Sequence, residues 1–414
     1  MTAAPALGTL LTHEGTPQIV LGGGSAPRMM PSGGSKDRGI LLIDSQVHDQ
    51  HPQLGLHARH VFRFDPETES QRDVLERASA EVLNVDIVES ADPQPRAPGH
   101  GDVVAIGGGS VMDAAKLLRL RLLSAAHFRT ARHSARMFGV SILPDTWAQG
   151  ARKLTLMPTT LGTGSEASAV ACLVGDREDR SRRLVTGRLI RADVVVLDVA
   201  LTRTLDDGAV REGVAEILLR VIGGYIGSPP SRVPDVAAEE LVLRVAGLAA
   251  SGIREGFDDS LRESLMLASA ETHTGWTLAG RAPFSAKHWY LANELSTAGG
   301  IRKVPTTLGL LPAIWQRVLD GDRRLGDAGR LRRLWRIVAG RLGLPDDPAS
   351  GAEAWRRRWG IEASSLALNV LLPAARRCFE VWANGRPALL GLTETEIVEI
   401  YVAAFRGVPL VEST

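Results

Sequence analysis

The sequence is poor in several things, and each shortage excludes a class. Two cysteines in 414 residues, Cys172 and Cys378, with no CxxC spacing, give neither a disulfide framework nor a thiolate metal site. A reducing compartment is therefore expected. Charge of one sign is also missing: 48 basic against 47 acidic residues leave a formal charge of +1, so no global field draws the chain to nucleic acid or to a membrane surface. No apolar run approaches the ~18 residues a membrane span needs. The start, MTAAPALGTLLTHEG, lacks the basic region and apolar core of a secretory signal. A cytoplasmic protein acting on a small-molecule or peptide partner is expected. Lysine is scarce too, confined to positions 36, 116, 153, 287 and 303, with arginine carrying nearly all the basic charge.

What is present reads as two textures. In the first half, short β-branched runs alternate with turns and helical segments, the pattern of a parallel sheet built from βα units. The expected strands are Gln18–Leu21, Gly39–Ile43, Asn84–Val88, Asp102–Ile106, Lys153–Met157 and Arg191–Asp198. A hairpin is expected from Val170–Val174 and Arg183–Thr186 around the charged turn Gly175–Arg182, and an amphipathic helix over Ser70–Leu83. After about residue 200 the strand signals stop. Helices are expected over Asp206–Ile226, Asp235–Ala250, Leu261–Thr277, Thr307–Leu319, Arg323–Leu342, Ser364–Ala383 and Glu394–Phe405, the last capped at Thr393. The fold class that follows is an α/β N-terminal dinucleotide-binding domain, 1–200, plus an all-α C-terminal domain, 201–414, with a substrate cleft between them.

Two segments carry chemistry. In DVVAIGGGSVMDAAK, Asp102–Lys116, a buried strand runs through three glycines into a helix start. There the backbone can approach a ligand closely, and N–H groups face an anion such as a pyrophosphate. Ser110 and Asp113 fit a capping box. A well-capped tight turn is the alternative. In MPTTLGTGSEAS, Met157–Ser168, Thr159, Thr160, Thr163, Ser165 and Ser168 surround Gly162 and Gly164, a loop rich in hydrogen-bonding groups. Asp44, ending a strand, can accept a ribose 2′-OH and repel a 2′-phosphate, or be a plain surface carboxylate.

Together and in this order, GGGSVMDAAK and PTTLGTGSE resemble the two cofactor signatures of the iron-containing alcohol dehydrogenases, in the superfamily that also holds dehydroquinate synthase and glycerol dehydrogenase. The resemblance extends through ADVVVLDVALTRTL and NGRPALLGLTETEIVEIYVAAF. It implies NAD, with NADP possible. Gly108, Gly109, Ser110 and Asp113 would lie at the pyrophosphate and ribose, and Thr159, Thr160 and Thr163 would line the remainder. Lys116 would reach a ribose or cap charge. A dimer or larger homo-oligomer is also implied.

The same resemblance implies an iron or zinc site, and there the pattern fails. Where the family has Asp and His four apart, this chain has Glu216 and Arg220; His288 stands at the next ligand, Ala292 at a further family histidine, and Val304-Pro305-Thr306-Thr307 replaces the last. Arginine has no acceptor and repels a cation, so no functional metal is expected, only the remnant positions Glu216 and His288. The expectation is that the Arg220 guanidinium occupies the metal's place, paired with Glu216 and close to His288. Arg220 would stabilise developing charge and His288 would act as a base with a pKa near neutrality; Lys287, Tyr290 and His273 are lesser candidates. A helix salt bridge beside a core histidine is the alternative. The implied activity is oxidation of an alcohol or hydroxy acid, or reduction of the carbonyl, with daptide-type oxidation of a C-terminal threonine as one setting. A dehydroquinate synthase-like lyase or cyclase and a non-catalytic partner subunit remain the competing classes.

Overall fold

The structure is a computed structural model that describes residues 9–11, 16–30, 39–88, 101–175, 181–362 and 365–405. Its strands are β1 (Thr9–Leu11), β2 (Gln18–Leu21), β3 (Ile40–Asp44), β4 (His60–Phe64), β5 (Val103–Gly107), β6 (Val140–Ile142), β7 (Leu154–Pro158), β8 (Val170–Val174), β9 (Arg182–Thr186) and β10 (Val194–Leu197). Helices of the first half are α1 (Ser45–Gln50), α2 (Gln71–Val88), α3 (Gly109–Leu123) and α4 (Ala125–Phe138). Those that follow are α5 (Asp207–Ile226), α6 (Arg232–Glu255), α7 (Asp259–Thr274), α8 (Lys287–Gly299), α9 (Lys303–Leu319), α10 (Ala328–Leu342), α11 (Pro348–Arg358), α12 (Leu368–Cys378) and α13 (Glu394–Phe405). Among the described residues no helix is long and apolar enough to cross a membrane.

The chain divides into two compact units. Unit 1 comprises Met1–Leu205 and the stretch Arg262–Thr274 of α7, which the sequence pattern places with the later helices. Arg262 fixes that stretch by donating to the carbonyls of Thr202 at 2.6 Å and Leu205 at 2.9 Å. The main sheet of unit 1 runs β1-β2-β10-β7-β5-β3-β4, parallel except where β1 pairs with β2. Its central strands are apolar throughout because both faces are covered; every residue of β5 and of β7 is buried. Each fully buried Val, Leu or Ile there contributes roughly 1.5–3 kcal/mol.

From β3 the chain goes outward to β4, then returns to β5 on the other side of β3 and continues to β7 and β10. The order reverses between β3 and β5. Open sheets of this kind bind ligands outside the carboxyl ends of the two strands flanking such a reversal. Here those ends are Asp44 and Gly107, which fall next to one another because Ile43 pairs with Ile106.

The expected hairpin is present: β8 pairs antiparallel with β9, with Cys172 opposite Leu184, and β6 extends it to a second, three-stranded sheet. Most of the expected turn, 176–180, lies outside the described residues. Asn84–Val88 is a correction. It is the last turn and a half of α2, not a strand, and the strand at that edge of the sheet is β4, with Phe62 and Phe64 buried and Arg63 exposed between them.

Unit 2 comprises Asp206–Leu261 and Gly275–Thr414 and is helical. Its interior holds Trp315, Trp335 and Trp355, each almost fully buried. A polar node ties three helices together: Asp235 on α6 accepts from Arg330 of α10, at 2.7 Å to each oxygen, and from Arg281, while Arg330 lies 3.8 Å over the ring of Tyr225 on α5. At the last helix, Thr393 and Glu396 form a reciprocal capping box, with bonds of 3.2 and 2.8 Å.

Candidate functional site

In unit 1 the sequence signatures become two loops facing one another. β5 ends at Gly107 and α3 starts at Gly109, with Gly108 as its N-cap. A Cβ on Gly107 would lie 2.7 Å from Val111, so only glycine lets the helix close on the strand. Across the gap, a Cβ on Gly108 would meet Thr160 at 3.2 Å, and one on Gly109 would meet Thr163 at 3.2 Å. Gly162 and Gly164, at φ of +91° and +62°, turn the threonine loop back on itself. No side chain caps the start of α3. Beside it, the Thr160 hydroxyl oxygen is buried without a hydrogen-bond partner. An uncapped helix start and an orphaned hydroxyl facing glycines form a cradle suited to an anionic, hydrogen-bonding ligand.

Two signature residues do other work than the sequence reading gave them, and a third does one of the two kinds of work it allowed. The Ser110–Asp113 capping box does not form, because the N-cap is Gly108, two residues earlier, and Ser110 lies exposed inside the first turn. Asp113 instead accepts from the Ser165 hydroxyl at 2.5 Å and from the Cys172 N–H at 3.0 Å. Lys116 is fully buried, and its ammonium donates to Ser165 at 3.0 Å, Ser168 at 3.1 Å and the Val170 carbonyl at 2.7 Å. Of the two roles expected for it this is the charge-capping one: its ammonium lies 3.7 Å from the Asp113 carboxylate and pins the threonine loop to α3. Burial pushes its pKa down, opposed by Asp113 and Glu166. Asp44 caps α1 through one oxygen, accepting from the N–H groups of Gln46 at 2.9 Å and Val47 at 3.3 Å.

In unit 2 the second group of residues gathers along α5. Arg220 donates to Glu216 at 3.2 Å, one turn apart and both largely buried. One turn before them, Glu212 accepts from Arg302 at 2.6 Å, which ties the start of α9 to the same stripe. Burial raises the pKa of Glu212 against the pull of Arg302. Three residues after Arg220 the stripe ends at Gly223, where a Cβ would collide with the His288 ring and lie 2.7 Å from the Cβ of Ala286. Glycine is thus what admits His288 against α5. The histidine is 3% exposed, and its Nε2 is buried without a hydrogen-bond partner.

One expectation changes here. Burial and the nearby Lys303 ammonium depress the His288 pKa to about 3, so the ring is neutral at working pH and is not a base poised near neutrality. Thr306 and Thr307 are fully buried and bond back to the carbonyls of Arg302 and Lys303 at 2.8 and 2.7 Å. Lys303 is the α9 residue whose charge reaches His288, and its ammonium lies 5.3 Å over the Trp289 ring. Sequence reasoning missed it, although a lysine at a helix start in so lysine-poor a chain was a usable signal. Of the lesser candidates, Lys287 donates to the Ala388 carbonyl at 2.8 Å, Tyr290 packs between Phe284 and Trp382, and His273 lies on α7 in unit 1.

At the positions the sequence resemblance assigns to metal ligands, the Glu216 carboxylate of α5 is engaged by the Arg220 guanidinium and the His288 ring of α8 feels the Lys303 charge.

The sequence profile described as iron-containing alcohol dehydrogenase matches residues 73–199. The probable alcohol dehydrogenase EutG of Escherichia coli is 29% identical over 191 residues, 46% of each chain. The NADPH-dependent aldehyde reductase YqhD of the same organism is 25% identical over 58% of this chain and 59% of its own. The matched stretch thus spans about half the length of these curated relatives. Among solved structures, sulfoacetaldehyde reductase from Bifidobacterium kashiwanohense in complex with NAD+ has the same fold, with a TM-score of 0.69, 18% identity and coverage of 97% of this chain and 100% of its own. The NADH-dependent butanol dehydrogenase A of Thermotoga maritima gives 0.70 at 16% identity, covering 96% and 99%. The glycine cradle and threonine loop both lie inside the segment that is similar to the iron-containing alcohol dehydrogenases, on a fold that these solved structures share nearly end to end.

Proposed function

We propose that the chain is an NAD(P)-dependent oxidoreductase that interconverts an alcohol or hydroxy acid with its carbonyl, and that it works without the metal ion of its family. The nucleotide belongs in the cradle of unit 1. N–H groups at the start of α3 receive the pyrophosphate, Gly108 and Gly109 allow its close approach, and the hydroxyls of Thr159, Thr160 and Thr163 line the remainder. The orphaned Thr160 hydroxyl supports this assignment. Asp44, beside the cradle at the end of β3, accepts a ribose hydroxyl and favours NAD over NADP. When bound, the nicotinamide supplies the hydride donor or acceptor.

The substrate oxygen belongs with the α5 stripe of unit 2. A neutral imidazole with a conjugate acid near 3 does not accept a proton at working pH, but it donates a hydrogen bond from Nε2 to a carbonyl oxygen. Arg220, held by Glu216, supplies fixed positive charge to the alkoxide that forms. These groups suit hydride addition to a carbonyl, with the alkoxide that forms taking its proton from solvent water; in the reverse direction the alcohol gives its proton to solvent as the hydride leaves to the nicotinamide. A peptide whose C-terminal threonine is oxidised, as in daptide-type biosynthesis, is one substrate that this reading admits.

The observation that carries the metal-independent reading is the Glu216–Arg220 ion pair on the stripe that ends at His288. Elemental analysis of the purified protein, with absorbance at 340 nm before and after chelation, tests it. The expected result is substoichiometric iron and zinc and turnover that survives chelation. Stoichiometric metal whose removal abolishes turnover overturns it.

A further inference from the structure

α10, AGRLRRLWRIVAGRL, carries five arginines and no acidic residue. Two of the five are engaged by α6: Arg330 donates to Asp235, and Arg333 grips both oxygens of Glu239 at 2.8 and 2.9 Å. Arg341 lies in the last turn, where a cation suits the macrodipole. Arg332 and Arg336 have no such reason. Both are exposed, one turn apart on the same side of the helix, with no partner among the described residues. Like charges at that spacing repel and weaken a helix. Elsewhere in the unit, exposed helix arginines pair along their own helix, as Arg357 does with Glu353 and Arg376 with Glu380.

The row continues past the helix end. Gly343, the C-cap, falls two turns after Arg336, and Arg358 of α11 donates to its carbonyl. Arg358 is exposed, and no carboxylate among the described residues engages it. Between Arg336 and Gly343 stands Gly340, exposed, where a Cβ would meet nothing within 4 Å. A glycine inside a helix costs stability relative to alanine, and neither crowding nor a left-handed φ requires this one. It leaves the helix surface bare beside three guanidinium groups, which is what close approach of another backbone needs.

The chemistry of the row selects its partner. A guanidinium fork matches a carboxylate bidentately. Arg332 and Arg336 lie about 6 Å apart along the helix axis, close to the roughly 7 Å between alternate side chains of an extended chain. Nucleic acid calls for a broader positive field than three arginines on a chain of net charge +1. A membrane-surface helix needs large apolar side chains beside its cations, and α10 exposes none.

We propose that this side of α10 docks an extended acidic peptide segment of a partner polypeptide, whose alternate carboxylates are received by Arg332, Arg336 and Arg358 and whose backbone crosses the helix at Gly340. Docking there does not depend on the oxidoreductase reading.

A fluorescent peptide of alternating glutamate and glycine, acetylated and amidated at its ends, is titrated into the full-length protein and followed by anisotropy, beside an analogue with glutamine for glutamate. The glutamate peptide is expected to bind and the glutamine peptide not, with affinity falling as salt rises from about 50 to about 200 mM. Arg332→Gln/Arg336→Gln should weaken the glutamate peptide by about tenfold or more, and Arg332→Lys/Arg336→Lys should fall between, since lysine keeps the charge without the fork. Gly340→Ala should weaken binding while raising the melting temperature by about 1–2 °C, a split that a merely solvated surface would not give. All of these positions are exposed, so the variants keep the fold. No binding of the glutamate peptide at the lower salt, equal binding of the glutamine peptide, or unchanged affinity in the Arg→Gln pair or in Gly340→Ala overturns the proposal. Tighter binding of a single-stranded oligonucleotide or of anionic phospholipid vesicles through the same arginines overturns it as well.

Discussion

Gly223 of α5 and His288 of α8 occupy one another's space: the histidine ring lies where any side chain at 223 would begin. The Cβ of Ala286 is only 2.7 Å from the same point, so neither neighbour has room to yield. Gly223→Ala should therefore destabilise the protein through overpacking, by about 1–3 kcal/mol. Chemical denaturation measures this. A change within a few tenths of a kcal/mol would mean that α8 slides freely on α5.

The neutrality of His288 has a signed consequence for stability. Its folded pKa of about 3 lies below the ordinary 6.5, so between those values the unfolded chain binds a proton that the folded chain does not. Stability should be fully present above about pH 6.5 and fall as the pH drops toward 3, by an amount on the order of a few kcal/mol for this group. His288→Gln should flatten that part of the profile. Urea melts of the two proteins from pH 4 to 7 measure it, and parallel profiles would show that the ring titrates normally.

The Asp44 carboxylate caps α1, and one substitution can separate that duty from the nucleotide selection proposed for it. Serine caps a helix about as well as aspartate but carries no charge, so Asp44→Ser should keep α1 in place while removing the repulsion toward a 2′-phosphate. The ratio of NADP to NAD affinity is expected to rise by about tenfold, about 1.4 kcal/mol. An unchanged ratio with normal stability would remove Asp44 from nucleotide selection.

How much of this could be read from the sequence depended on whether local signals were strong. β5 and β7 were legible because parallel strands buried on both faces are continuous apolar runs, and the Glu216–Arg220 pair because a spacing of four fixes its geometry on a helix. Val85–Val88 alternates like a strand, yet it continues the helix begun at Gln71, and only the packed structure decides between the two. β4 was missed because His60 and Arg63 interrupt its apolar pattern. α8 was missed for want of any start signal, the same want that marks its first turn as unusual. α9 begins at Lys303, four residues before the expected Thr307; Pro305 falls in its first turn, where the missing N–H goes unused. That short extension is what brings Lys303 to His288.

Lys116 offers a test of which of its two expected roles, ribose contact or charge capping, the fold uses. Three donors of one ammonium go to Ser165, Ser168 and the Val170 carbonyl, with Asp113 and Glu166 supplying the charge that offsets its burial. Lys116→Met is close in volume but leaves those carboxylates without their cation, and breaking a buried ion pair from one side costs about 3–5 kcal/mol. The melting temperature should drop by several degrees, and NAD affinity should fall as the threonine loop loosens from α3. Lys116→Met/Asp113→Asn, which removes charge from both sides, should recover part of the stability. A Lys116→Met protein of ordinary stability that had lost only nucleotide affinity would return the lysine to direct ligand contact.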